Sequence, residues 1–207
     1  MADEYVSLRE EAETELEIKR SVFIGNARPV TSAEEAEEFI REVRARHEDA
    51  RHVCFAYVLR SGGVSKYSDD GEPQGTAGMP MLEVLKKNGL CDTVVTVTRY
   101  FGGILLGASG LVRAYSAACA MAIEKGGICR YGVFARLKLS AGFKDYPKAE
   151  YELRRFGARL DAPIFASDVE LTFYIEDEKA DSVISRLADM SAARIKCEKI
   201  SKEYMPI

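Results

Sequence analysis

The sequence predicts an α+β protein with two domains, residues 1–130 and 131–207. Hydrophobic residues make up 47% and charged residues 30% of the chain, the balance of an ordinary folded protein. Segments typical of strands and of helices follow one another throughout both halves. After Cys129 a glycine-rich sequence gives way to a more regular succession of elements, which places the domain boundary near 130. These observations exclude bulk disorder and a collagen-like chain.

The first domain begins with strand-like residues at 16–30, with a break near the charged residues at 19–21. Thr31 and Ser32 predict the start of a helix, because their hydroxyls cap free N–H groups and carboxylates follow in the first turn. The run TVVTVTRYF at 93–101 is rich in β-branched residues and predicts a central strand covered on both faces. Further strands are predicted at 53–59 and 64–67, and further helices at 79–87 and 108–125.

The second domain opens with an alternating segment at 133–140, which predicts a half-buried strand. Pro147 and Gly157 mark the two ends of a helix, since proline suits a first turn and glycine a terminus. Strands at 159–165, 169–175 and 193–204 and a helix at 178–190 complete the domain. The order β-α-β-β-α-β is the ferredoxin-like pattern.

Charge and cysteine content indicate the cellular compartment. The formal net charge is −4, and no apolar run approaches the roughly 18 residues needed to span a bilayer. The acidic N-terminus lacks the apolar stretch of a secretory signal. Five scattered cysteines without a CxxC pair predict reduced thiols rather than a disulfide framework. We therefore expect a cytoplasmic protein with no membrane partner.

Three carboxylates stand close together at 69–72 and form the first candidate site. Asp69, Asp70 and Glu72 could gather around a hard cation such as Mg²⁺, which prefers oxygen ligands. The alternative is a solvated acidic turn, because Asp-Gly is a strong turn former. The cysteines and the two histidines of the chain do not have the spacing of a zinc site.

A second candidate is an anion site built on glycine-rich turns. Ten of the 16 glycines lie between Gly62 and Gly110, and a strand that feeds such a turn and then a helix can present free N–H groups to phosphate. Ala108 stands where a P-loop requires lysine, so that motif is excluded. The same glycines could instead serve close packing. The candidate anion or partner site comprises Gly75, Thr76, Gly78, Arg99, Gly102, Gly103, Gly107, Ser109, Gly110 and Arg113.

The third candidate is the open face of the C-terminal sheet. Aromatic and basic side chains on such a face can stack on bases and neutralise phosphates. Alternatively, this face packs on the first domain, with lysine stems covering apolar surface. The residues of this possible RNA face are Phe134, Arg136, Lys138, Tyr174 and Lys196.

Two long motifs identify a family. The first is Tyr67-Ser68-Asp69-Asp70-Gly71-Glu72-Pro73 followed by Gly75-Thr76-Ala77-Gly78 and Pro80, and the second runs from Arg99-Tyr100-Phe101-Gly102-Gly103 to Ala114-Tyr115. With Lys19, Ser21, Phe23, Ile24, His52 and Cys54, they resemble the IMPACT family in its bacterial, YigZ-type form with two domains. The resemblance spans almost the whole first domain.

The resemblance implies a fold for each domain. The first is expected to be a two-layer α/β unit, similar to the second domain of a small-subunit ribosomal protein and to galactokinase-type kinases. The second is expected to resemble the C-terminal domain of elongation factor G. The eukaryotic relative is a translational regulator that competes for a stress-kinase activator, and the resemblance supplies no catalytic residues.

Two functions remain open at the level of the sequence. The first is a non-enzymatic, translation-linked binding protein that contacts RNA, the ribosome or a protein partner through the Gly/Arg-rich groove of the first domain. It requires no cofactor and no DNA specificity. The alternative is a Mg²⁺-dependent hydrolase or transferase acting on a phosphorylated small molecule, with Asp69, Asp70 and Glu72 holding the metal.

Overall fold

The structure, a computed structural model, describes residues 4–207. Residues 1–3 of the predicted first domain lie outside the described residues. The helices are α1 (Ala33–Arg46), α2 (Gly78–Lys87), α3 (Gly107–Gly126), α4 (Tyr146–Arg155) and α5 (Asp177–Ser191). The strands are β1 (Glu4–Leu8), β2 (Ala12–Ile18), β3 (Ser21–Pro29), β4 (His52–Val58), β5 (Ser65–Ser68), β6 (Thr93–Tyr100), β7 (Ile128–Ala141), β8 (Arg159–Leu160), β9 (Ile164–Phe165), β10 (Val169–Glu176) and β11 (Lys196–Pro206). The chain divides into two compact units, Tyr5–Arg130 and Tyr131–Ile207, the latter joined by Glu4.

The first unit is built on an antiparallel sheet in the order β2-β3-β6-β4-β5. Strand β6 lies at its centre and is buried along nearly its whole length, because its β-branched side chains are covered on both faces. Helices α2 and α3 pack on one face around Phe23, Val97 and Tyr115. Helix α1, capped by the Ser32 hydroxyl as predicted, packs on the opposite face around Phe39. The predicted α+β class is confirmed, and α1 adds a layer on the second face.

The second unit carries an antiparallel sheet in the order β11-β7-β10-β8, with β9 also paired to β10. Helices α4 and α5 pack on one face, where alternate residues of β7 and β10 form the core. The element order is the predicted ferredoxin-like β-α-β-β-α-β, except that two short strands, β8 and β9, take the place of the second strand. The prediction of one strand at 159–165 is wrong: β8 and β9 are separate two-residue strands, because Pro163 between them has no N–H to donate to a ladder.

None of the helices between residues 4 and 207 combines the length and apolar character of a membrane span. All five cysteines are free, and Cys54, Cys119 and Cys129 are buried.

Candidate functional site

The loop at 68–78 is organised around the carboxylate of Asp69. It accepts hydrogen bonds from the backbone N–H groups of Gly75 at 2.8 Å, Ala77 at 3.0 Å and Gly78 at 2.8 Å. The last two N–H groups belong to the start of α2, where unpaired donors and the helix dipole favour an anion. Asp69 is therefore an internal cap of α2.

This geometry corrects the prediction that Gly75, Thr76 and Gly78 receive an external anion. The chain's own carboxylate already binds the N–H groups of Gly75 and Gly78. Thr76 turns its hydroxyl to the carbonyl of Pro73 at 2.6 Å. These residues fold the loop and leave no free donor set for phosphate.

Asp70 fastens the same loop to neighbouring elements. Its carboxylate accepts the N–H of Val53 at 2.8 Å and forms a 2.7 Å ion pair with Arg44 of α1. Its carbonyl lies 2.8 Å from Nδ1 of His52. Asp70 is thus a positioning residue that joins the loop to β4 and α1.

Glu72 lies in a buried polar network with Arg99 and Tyr115. One carboxylate oxygen lies 2.7 Å from a guanidinium nitrogen of Arg99 and 2.8 Å from the Tyr115 hydroxyl, which donates to it. The side chains of Arg99 and Glu72 are only 8% and 3% exposed. The Arg99 guanidinium also lies near the rings of Phe23 and Phe101, at 5.6 and 5.4 Å from their centroids. The prediction that Arg99 serves an external anion is therefore wrong, because its charge is used inside the fold.

Burial keeps the hydrogen-bonding groups of this network protonated. It raises the pKa of the Tyr115 hydroxyl, so this group remains a donor to Glu72. It also raises the pKa of the neighbouring Cys54 thiol to about 12, and that thiol donates to the carbonyl of Asp69 at 3.0 Å. Neither group has the low pKa of an activated nucleophile.

The three carboxylates do not converge on a common point. Asp69 faces the start of α2, Asp70 faces Arg44, and Glu72 faces the interior. Across residues 4–207 no group of three or more His, Cys, Asp or Glu side chains forms a set that could hold a metal ion. The predicted Mg²⁺ ligands therefore do not fit a metal site, and each carboxylate is a structural residue.

Most glycines of the second motif are explained by close packing or by a backbone conformation that favours glycine. A Cβ atom at Gly102 would lie 2.0 Å from the carbonyl carbon and oxygen of Arg20, so the β2–β3 turn packs directly on this position. Gly107 begins α3 with φ at +71°, a conformation that glycine adopts without strain. Gly103 has φ at +83°, and Gly110 lies against Leu106. Close packing accounts for Gly102 and Gly110, and positive φ accounts for Gly103 and Gly107.

One surface of the first unit remains available at the end of β6. The loop at 101–106 exposes Phe101, Ile104 and Leu105, the last being 83% exposed. Helix α3 follows without a side-chain cap at its N-cap residue Leu106. Ser109 is exposed on the first turn of this helix.

Three exposed cations accompany this loop. Arg113 lies on the second turn of α3, and Lys19 and Arg20 form the β2–β3 turn that packs on Gly102. Within residues 4–207 none of the three forms an ion pair with a carboxylate. We call the set the β6–α3 surface, which comprises Lys19, Arg20, Phe101, Ile104, Leu105, Ser109 and Arg113.

The open face of the second unit does gather the residues of the possible RNA face. Strand register places Tyr174 opposite Arg136 and Lys196 opposite Ser140. However, Phe134 is only 3% exposed, and the guanidinium of Arg159 lies 4.7 Å from its ring centroid. Phe134 is therefore not available to stack on a base.

Carboxylates also lie beside two of the cations of this face. Lys138 forms a 3.0 Å ion pair with Glu170, and Arg136 lies 4.0 Å from Glu203. Glu198 stands directly opposite Lys138 on β11. This mixture of charges opposes phosphate binding, so the structure does not support the predicted RNA face.

Reasoning from the sequence named Lys19 and Tyr115 as family-motif residues but assigned neither of them, nor Arg20, to a site. Lys19 and Arg20 stand at the break between two predicted strands, a signal for a turn but not for its position beside Gly102. Tyr115 lies in an apolar helix, and its contact with Glu72 joins residues 43 positions apart.

Comparison with known proteins agrees with this architecture. Residues 19–123 match the model of the Impact N-terminal domain, and residues 139–194 match a domain of unknown function, DUF1949. A solved structure described as that of a hypothetical protein has a TM-score of 0.63 and 30% sequence identity, covering 97% of this chain and 99% of the other.

Curated relatives carry the same family name. The chain is 38% identical over 192 residues to IMPACT family member YvyE of Bacillus subtilis, covering 92% of this chain and 88% of the relative. It is 46% identical over 112 residues to IMPACT family member YigZ of Escherichia coli, covering 53% and 55% of the two chains. Family models for both parts of the chain and a relative matched along most of its length establish that this protein belongs to the IMPACT family.

Proposed function

We propose that this protein is a non-enzymatic, translation-linked binding protein that contacts ribosomal RNA through the β6–α3 surface. The observation that carries the proposal is the juxtaposition of three cations, unpaired within the described residues, with a protruding apolar loop. Lys19, Arg20 and Arg113 form the basic part of this surface, and Leu105 forms the most exposed portion of its apolar part.

The chemistry of the surface suits a polyanion with exposed bases. Lysine and arginine neutralise phosphates and displace their counterions, which makes binding sensitive to salt. An exposed aromatic side chain such as Phe101 can stack on an unpaired base. The α3 N-terminus, which lacks a side-chain cap, adds the positive end of a helix dipole.

The internal use of the motif carboxylates supports a binding role. The enzymatic alternative required Asp69, Asp70 and Glu72 to share a cation, and they face three different partners. Arg99, the other candidate for contact with a phosphate, is neutralised by Glu72.

The test is co-sedimentation of the full chain with ribosomes at increasing salt. We expect Arg20→Ala/Arg113→Ala to weaken binding and to lower the salt slope by about 0.7–0.9 for each phosphate that is no longer neutralised. A double variant with the same change of charge, Lys86→Ala/Lys87→Ala, alters two exposed cations at the end of α2 and serves as the control. Equal ribosome binding by the two double variants would contradict the proposal.

A further inference from the structure

A row of polar side chains lies on the sheet face that α1 covers. Asn26 of β3 stands directly opposite Thr96 of β6, so their side chains share one face of the sheet. Thr98 follows two residues later on the same face. Asn26 is 1% exposed, and both threonines are fully buried. The row therefore lies inside the first unit.

Five atoms of this region have no hydrogen-bond partner within residues 4–207. They are Oδ1 and Nδ2 of Asn26, Oγ1 of Thr96, Oγ1 of Thr98 and Nε2 of His47. A buried polar group without a partner is unfavourable, because it has lost its hydrogen bonds to water. Folded proteins contain few such groups, and several in one place indicate a ligand that satisfies them.

Side-chain contacts from the end of α1 close over the row. His47, the C-cap residue of α1, has Nδ1 3.0 Å from the hydroxyl of Tyr100, which lies two residues beyond Thr98. Arg46 lies 3.4 Å from Glu13, the residue of β2 that stands opposite Asn26. The row is thus bounded by the sheet and by these two contacts.

The chemistry of the unpaired atoms defines the ligand. Asn26 offers both a donor and an acceptor, and each threonine hydroxyl can act as either. Asparagine and threonine carry no formal charge, so an ion would lose its hydration here without a counter-charge. Water is the smallest neutral molecule that both donates and accepts, and a buried water typically forms about three hydrogen bonds.

We propose that Asn26, Thr96, Thr98 and His47 form an internal water-binding site between the sheet and the end of α1. Further along the same helix the contact with the sheet is apolar, through Phe39 and its neighbours. Helix α1 is therefore held by direct apolar packing in one part and through bound water in the other.

The test is oxygen-17 relaxation dispersion of water on the full chain, which detects water molecules with long residence times. We expect a long-lived signal in the natural protein and its loss in Thr96→Val/Thr98→Val, which removes two hydroxyls at nearly constant volume. The same variant lowers the Tm by about 2–4 °C, because the bound water loses partners.

The control is Thr93→Val on the same strand, since the Thr93 hydroxyl already donates to the carbonyl of Cys91 at 3.0 Å. It leaves the water signal unchanged. A signal that persists in the double variant, or a Tm that rises because unpaired hydroxyls were removed from a dry interior, overturns the proposal. If the double variant does not fold, a high-resolution crystal structure of the natural protein decides: ordered water bonded to both hydroxyls supports the site, and a dry contact overturns it.

Discussion

Asp69 shows how one carboxylate organises a loop of eleven residues. Three backbone N–H groups point at it, two of them from the start of α2. Such an arrangement is the geometry of an anion site whose anion is part of the chain. The consequence is that loss of the carboxylate leaves several donors unpaired at once.

We expect Asp69→Ala to lower the free energy of unfolding by about 1–3 kcal/mol, because part-buried N–H groups lose a charged acceptor. Urea denaturation measures the change. Asp49→Ala removes an exposed carboxylate of the same unit and should change stability by less than about 0.5 kcal/mol. Equal effects of the two substitutions would show that Asp69 is not a structural cap.

For the buried pair of Glu72 and Arg99 we predict a larger loss of stability. Glu72→Ala leaves the guanidinium of Arg99 buried without its counter-charge, which costs about 3–5 kcal/mol. The matched change is Glu38→Ala, because Glu38 forms an exposed ion pair with Arg41 that contributes at most about 1 kcal/mol. Denaturation curves of both variants test the difference, and a mild effect of Glu72→Ala would contradict the buried network.

The roles of the motif residues could be predicted only in part. The Asp-Gly pair correctly indicated a turn, and Asp70 and Gly71 both have positive φ there. It could not show that Asp70 pairs with Arg44 or that Glu72 pairs with Arg99, because those partners lie 26 and 27 positions away. Residues that are adjacent in sequence therefore resembled one ligand set although each has a different distant partner.

At the scale of elements, apolar periodicity was a good guide where an element has one clear face. The alternation in β7 predicted a strand with one buried face, and the apolar character of α3 predicted a helix that packs on the sheet. Both predictions are confirmed, because each element buries its apolar residues. Prediction failed at the short strand β1, whose two buried residues, Ser7 and Leu8, are adjacent and therefore show no alternation. Tertiary pairing, rather than local pattern, decides such segments.

The start of α4 is stabilised by an ion pair between Arg194 and the titratable carboxyl of Asp145. Arg194 donates two hydrogen bonds of 2.9 Å to Asp145, the N-cap residue of α4, and these hold the pKa of that carboxyl below its ordinary value of 3.8. A carboxyl whose pKa is lower in the folded than in the unfolded state stabilises the fold above its unfolded pKa. This contribution disappears as the pH falls through the lowered pKa.

We therefore expect Asp145→Asn to lower the Tm at pH 7 and to have no effect in acid below the folded pKa of Asp145. Thermal denaturation at several pH values measures this convergence. Asp168→Asn, at an exposed position, should leave the Tm nearly unchanged throughout. A Tm difference between Asp145→Asn and the natural protein that is the same at pH 7 and in acid would exclude an electrostatic role for the pair.

At the scale of the whole molecule, family membership is established and the fold of each unit follows the predicted pattern. The prediction of the candidate site needed more correction than the prediction of the fold. Of the residues predicted to receive an anion, only Ser109 and Arg113 remain on the proposed surface, because Arg99 and the loop donors have internal partners. Lys19 and Arg20 join the surface through the close approach of Arg20 to Gly102, which only the folded chain reveals.

The most direct test of the central claim is photo-crosslinking from the tip of the β6–α3 surface. Leu105→p-benzoylphenylalanine places a reactive group on the most exposed side chain of the loop, and Tyr151→p-benzoylphenylalanine places the same group on an exposed position of α4. We expect ultraviolet irradiation with ribosomes to link the protein to ribosomal RNA from position 105 and not from position 151. Equal crosslinking from both positions, or none from position 105 while the protein still co-sediments with ribosomes, would contradict the account.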